Sequence, residues 1–99
     1  MLRLCLERNK MREEKESILK EELRVLALKT RDRLGVTQKE MAKKLSMSEK
    51  SYSDIETGWY MCGTLTAVLL LTEQENPEEF LQVLKTKFEK QYQKEMREF

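Results

Sequence analysis

The chain contains no histidine. It therefore lacks the side chain that most readily serves as a general base near neutrality and most often binds metals. Its two cysteines, Cys5 and Cys62, stand far apart in sequence. They are too few for a disulfide framework and have no partners for a zinc site, so two reduced thiols are expected. Three glycines, at positions 35, 58 and 63, do not make a glycine-rich phosphate loop. Long apolar runs are missing too: the longest, Leu65 to Leu71, is broken by Thr66 and falls well short of a membrane span. The opening Met1-Leu2-Arg3-Leu4-Cys5-Leu6 is too short and too interrupted for a signal-peptide core. These absences argue against an enzyme and against a membrane protein. No catalytic residue, metal site or cofactor is assigned, and a soluble, cytoplasmic protein is expected.

A charge excess of one sign is also lacking. The 19 basic and 18 acidic residues leave a net charge of +1, so global charge does not announce a nucleic-acid binder. Any such affinity must come from local placement. Residues 1–34 carry a surplus of three positive charges, residues 35–63 balance to zero, and residues 64–99 carry a deficit of two. Ninety-nine residues suit one small domain with little core to spare.

What is present is helical periodicity. Met11, Ile18, Leu19, Leu23, Leu26, Ala27 and Leu34 fall near helical spacing, and neither proline nor glycine interrupts before Gly35. One long helix or two collinear ones is expected. The nearly all-charged stretch from Glu7 to Glu16 should be a solvated extension rather than core. Ahead of it Leu2, Leu4 and Leu6 alternate with other residues, a pattern that fits a short strand or an extended arm docked on the domain.

Between Thr37 and Gly58 the spacing predicts two short helices with almost no room between them. Met41, Leu45, Met47, Tyr52 and Ile55 would line the inner side of the pair, and Ala42 is small enough to allow a close crossing. Ser46-Met47-Ser48 is then the turn. Ser48 suits the N-cap of the second helix, Glu49 its positive end, and Thr57-Gly58 its stop. This is a helix-turn-helix layout. Leu65, Val68, Leu69 and Leu71 follow as a fourth helix expected to be buried on more than one side, with a strand as the rival reading. Asn76 as cap, Pro77 at the first helical position and acids at 78 and 79 open a final helix. Phe80, Leu81, Leu84 and Phe88 would form its inner face. Tyr92, Met96 and Phe99 rotate off that face, which suggests fraying or a contact with a second subunit.

Arg31-Asp32-Arg33-Leu34-Gly35-Val36-Thr37-Gln38, the spacing of Met41-Ala42 and Leu45, Ser48, and Ile55-Glu56-Thr57-Gly58 together resemble the DNA-binding domain of the phage-repressor and Cro family, also called the xenobiotic-response-element type. The resemblance covers roughly residues 24–72. It implies an all-α, compact four- to five-helix repressor-like domain with its core over 23–72. The tails gain nothing from it; their own residue patterns give an N-terminal arm and helical extension over 1–22 and a C-terminal helix over 73–99 that packs on the core or serves in dimerisation. The resemblance further implies that Arg31 pairs with Glu56, which agrees with the rule that charges forced inward should be bonded to each other.

For DNA the resemblance places the second helix of the pair in the major groove. Gln38 is carried over as a phosphate contact, and Ser48, Glu49, Lys50, Ser51 and Asp54 occupy positions that reach bases or adjacent phosphates. Lys39 and Lys43 are the nearest cations for phosphate. A solvated helix surface stays the plainer reading for each of these residues.

Four features depart from the family pattern. Ser46 stands where glycine is usual, Tyr52 replaces a smaller aliphatic residue, and Glu49 and Asp54 present acid to a polyanion. The uncharged loop from Trp59 to Gly63 lacks both its usual cations and its proline. Arg3, Arg8, Lys10 and Arg12 are candidates to supply charge from the N-terminal arm, although a merely soluble tail explains them as well. The expected partner is double-stranded DNA, bound by a homodimer acting as a sequence-specific regulator, most simply a repressor by occupancy. The alternative is a protein-interaction module in which Trp59, Tyr60 and Met61 bind a partner and DNA affinity is weak or lost.

Overall fold

The computed structural model describes residues 2–60 and 62–98, with the side chains of 2–9 and 98 outside the description. Five helices follow one another: α1 (Leu2–Leu34), α2 (Gln38–Lys44), α3 (Glu49–Thr57), α4 (Thr64–Thr72) and α5 (Pro77–Glu98). The protein is all-α, with no strand among the described residues. The alternating leucines at 2, 4 and 6 belong to the first turns of α1, so the strand or extended arm expected there is replaced by helix. Nothing between Leu2 and Leu34 breaks an α-helix, and alternation over so few residues is too weak a signal to override that continuity. Met61 lies outside the described residues.

The chain divides into two units. The larger, Lys20–Pro77, holds the end of α1, the helix pair α2–α3, and α4. Its core is Leu23 and Ala27 from α1, Met41, Ala42 and Leu45 from the α2 region, Tyr52 and Ile55 from α3, and Leu70 from α4. Gly35 ends α1 with φ 66, the left-handed conformation that only glycine adopts without cost, and its amide donates to the Arg31 carbonyl at 2.9 Å. Thr30, 1 % exposed, satisfies its hydroxyl within the unit: it donates to the Leu26 carbonyl at 2.7 Å and accepts from Gln74 Nε2 at 2.7 Å. Cys62 is buried, and burial raises its thiol pKa, so its sulfur stays protonated and packs as a small apolar group.

α4 departs from expectation. It is a helix rather than a strand, but of its apolar residues only Leu70 is buried, whereas Leu65 and Val68 are exposed. An apolar sequence does not by itself bring neighbours to every side of a nine-residue helix, and here it is the stripe of Leu70 that is covered.

The smaller unit pairs the first half of α1, up to Leu19, with α5 from Glu78. Met11, Ile18, Leu19, Phe80, Leu84 and Phe88 are each half-buried, as two helices alone allow. Leu81 was expected on the inner face of α5 but is exposed; it sits about 60° round the helix from the middle of the line through Phe80, Leu84 and Phe88, at the edge of that face. The inner line continues instead through Gln91 and the buried Glu95. Lys15 pairs with Glu95 at 3.2 Å, and Gln91 donates to Glu14. Glu14 and Lys15 thus work in the helix pair, which corrects the picture of Glu7 to Glu16 as solvated throughout. Tyr92 and Met96 lie outside that line and are exposed.

Candidate nucleic-acid interface

Local chemistry fixes each end of the helix pair. Thr37 caps α2 by accepting from the Glu40 amide at 3.1 Å, and Ser48 caps α3 by accepting from the Ser51 amide at 3.1 Å. Between them Ser46 takes φ 57, so the chain reverses through a left-handed serine where glycine would be unstrained. The turn is closed by the Met47 amide donating to the Ala42 carbonyl at 3.0 Å and the Ser46 amide donating to Lys43 at 3.1 Å. At the far end Gly58, with φ 82, stops α3, and the Asp54 carbonyl accepts from the amides of Trp59 at 2.9 Å and Tyr60 at 3.2 Å.

α3 buries Tyr52, Ile55 and Glu56 and turns Glu49, Lys50 and Thr57 outward, with Ser53 and Asp54 half-buried beside them. A carboxylate on the buried side needs partners, and Glu56 has them. Arg31 donates from Nε to Oε2 at 2.6 Å and from Nη2 to Oε1 at 3.1 Å, and Gln38 Nε2 donates to Oε1 at 2.9 Å. The two-point Arg31 contact is the planar fork that suits a carboxylate. Burial alone would raise the Glu56 pKa. The hydrogen bonds from Arg31, Tyr52 and Gln38 outweigh it and hold the carboxyl below its usual range. Burial first, and the hydrogen bond to Glu56 second, push the Tyr52 phenol well above its ordinary value. Its hydroxyl reaches the Ala27 carbonyl at 3.4 Å, so the large side chain is accommodated in the core rather than at the domain edge.

The seven residues carried to the DNA face fare differently. Glu49 and Lys50 are exposed at the leading end of α3, and Lys50 Nζ lies 3.6 Å from Asp54 Oδ2, one turn on. Such a surface pair is weak and opens at little cost. Ser48 is occupied as a cap, and its hydroxyl also donates to Ser51 at 2.8 Å, which leaves Ser51 as the freer of the two. Gln38 is held by Glu56 through its amide nitrogen, with its second proton and its carbonyl oxygen uncommitted among the described contacts. Lys39 and Lys43 are exposed on α2, whereas Lys44 lies 3.9 Å from Glu73. Of the arm candidates, Lys10 is exposed and Arg12 pairs with Glu16 at 3.0 Å. Arg3 and Arg8 fall outside the described side chains.

Two residues on the outward face were not singled out from the sequence. Ser53 lies one turn beyond Glu49 and Lys50, and Thr57 one turn beyond that. The three- and four-residue spacing that places Asp54 beside Lys50 would have found both.

A capped outer helix, a tight turn and a carboxylate anchor to the preceding helix define a helix-turn-helix domain of the DNA-binding kind. Residues 28–72 match the family model for the helix-turn-helix, that of the Cro- and CI-type domains of the xenobiotic-response-element family. Domains of this family are DNA-binding regulators. Comparison with curated proteins and with solved structures gives no match. Among the described residues no helix is long and apolar enough to cross a membrane.

Proposed function

We propose that this protein is a sequence-specific DNA-binding regulator of transcription that works in the cytoplasm as a homodimer on a two-fold site and represses by occupying it. DNA binding is assigned to the core, residues 23–72, with residues 1–22 and 73–99 flanking it as extension and C-terminal helix. The observation that carries the reading is the fixed leading edge of α3. Ser48 caps it, Arg31 and Gln38 anchor it from below through Glu56, and Glu49 and Lys50 are exposed, Lys50 against Asp54.

In this reading α3 enters the major groove. Lys50 leaves Asp54 to donate to guanine O6 and N7, Glu49 accepts from cytosine N4, and Ser51 bonds either way. Gln38, Lys39 and Lys43 meet phosphate, and Asp54 contacts a base or releases Lys50 to it.

A second reading rests on a specific feature. Trp59 is 84 % exposed in a loop without cations, which suits a protein-interaction module with weak DNA affinity. Binding to duplex DNA over a salt series separates the two. The DNA reading expects affinity to fall steeply with salt and to be lost in Gln38→Ala and Lys50→Ala. Binding untouched by those variants and abolished by Trp59→Ala would overturn it.

A further inference from the structure

We infer that one face of α5 binds the phosphate backbone of double-stranded DNA independently of sequence, as a second contact outside the helix-turn-helix. The deficit of two charges over residues 64–99 conceals an uneven placement. Four acids, Glu73, Glu75, Glu78 and Glu79, come before the body of α5, whereas residues 80–97 hold five bases against two acids. Four of those bases, Lys87, Lys90, Lys94 and Arg97, follow at steps of three, four and three residues, so they lie within about 80° of one another round the helix axis. All four are exposed, and Lys90, Lys94 and Arg97 enter no ion pair with a described residue. The two acids point elsewhere. Glu95 is buried on the inner line, 3.2 Å from Lys15, and Glu89 stands about 120° round the helix from the middle of the stripe.

Geometry and composition choose the partner. From Lys87 to Arg97 the helix rises about 15 Å, and over that length one strand of a duplex carries about four phosphates, one for each cation. Three of the four are lysines and no aromatic side chain stands among them, whereas protein interfaces deplete lysine and draw on aromatics. A bilayer needs apolar side chains beside the cations. Of the exposed apolar residues of α5 only Val83 shares the side of the stripe; Leu81, Tyr92 and Met96 stand roughly opposite, about 140° or more away. DNA is chosen among polyanions because residues 28–72 match a family of DNA-binding regulators, so that choice rests on the proposed function. The stripe itself lies outside the matched residues.

The test is fluorescence anisotropy of a labelled random-sequence duplex with the full chain over a salt series, a substrate that offers α3 no preferred site. Lys90→Gln, Lys94→Gln and Arg97→Gln combined change exposed side chains and should keep the wild-type circular dichroism. The slope of log K against log salt should become shallower by about 0.9 for each cation removed, or about 2.7 for each chain bound. Lys90→Gln with Lys94→Gln should make it shallower by about 1.8, and this pair decides the matter should the triple variant unfold. Lys85→Gln, on the far side of α5, should stay within about 0.3 of the wild-type slope. A slope unchanged in both stripe variants overturns the inference. So does a loss in Lys85→Gln as large as that for one stripe cation, or a wild type that prefers phosphatidylserine vesicles or polyglutamate to the duplex in competition at equal charge. The loss caused by the stripe variants should persist in Gln38→Ala and Lys50→Ala backgrounds, so failure of α5 and failure of the α3 reading are seen separately.

Discussion

Replacing Arg31 with methionine removes the forked donor from Glu56 while keeping most of the apolar stem. The carboxylate left behind is 7 % exposed and keeps only Gln38 at 2.9 Å and the nearby phenol of Tyr52. Stranding one member of a fully buried pair costs about 3–5 kcal/mol. The Arg31 side chain is 30 % exposed, so solvent screens part of the interaction and Gln38 compensates part of the loss. The expected cost is therefore about 2–3 kcal/mol, which in a unit of this size corresponds to a fall in Tm of roughly 10–20 °C. Thermal melts at neutral pH followed by circular dichroism measure it directly. Arg31→Met with Glu56→Leu should recover at least half of the loss, because the second change removes the stranded charge. A Tm within about 3 °C of wild type for Arg31→Met, or no recovery in the double variant, would refute the anchor as described.

Glu56 also sets an acid limit. Its folded pKa lies below the ordinary carboxylate value of 4.5, so the stability it contributes is fully present above that pH and is lost as pH falls through the lowered folded pKa. Glu56→Gln should flatten this part of the acid denaturation curve, and an unchanged slope below pH 4.5 would exclude the linkage. Ser46→Gly relieves the left-handed strain at φ 57 and should raise stability by roughly 0.5–1 kcal/mol after the entropy of glycine is counted; urea midpoints check it. Gly58→Ala should cost about 1 kcal/mol from its φ of 82 alone, since an added Cβ meets only Arg24 Cδ at the ordinary distance of 3.5 Å. If Lys39 and Lys43 are the core's phosphate contacts, a dimer neutralises about four phosphates through them and their share of the slope of log K against log salt should be near −3.6. Lys43→Ala should make that slope shallower by about 2, and a slope twice as steep once the α5 cations are removed would mean that cations elsewhere, such as those of the N-terminal segment, carry the contact.

How much of this was legible in the residues differs from element to element. The helix pair was readable because several short-range signals agree over Thr37 to Gly58: the caps Thr37 and Ser48, the stop at Gly58, and apolar residues at helical spacing. The Arg31–Glu56 contact spans 25 positions and came through family resemblance, not periodicity. Gln38 as a third member of that anchor was not legible, since nothing local says that a glutamine at a helix start turns inward. α4 misled because hydropathy reports what a segment would bury if neighbours exist, and among the described residues Leu65 and Val68 stay exposed. The opposite error occurred at Glu14 and Lys15, where a charged run looked solvated but the facing helix supplies Gln91 and Glu95 as partners.

Selection of bound sequences from a random duplex pool with the full-length chain bears most directly on whether α3 reads base edges. The expected product is a palindromic consensus whose half-sites carry a G·C pair at the position met by Lys50 and Glu49, with that pair relaxed in Lys50→Ala. A pool that shows no enrichment, or a consensus indifferent to both residues, would contradict it.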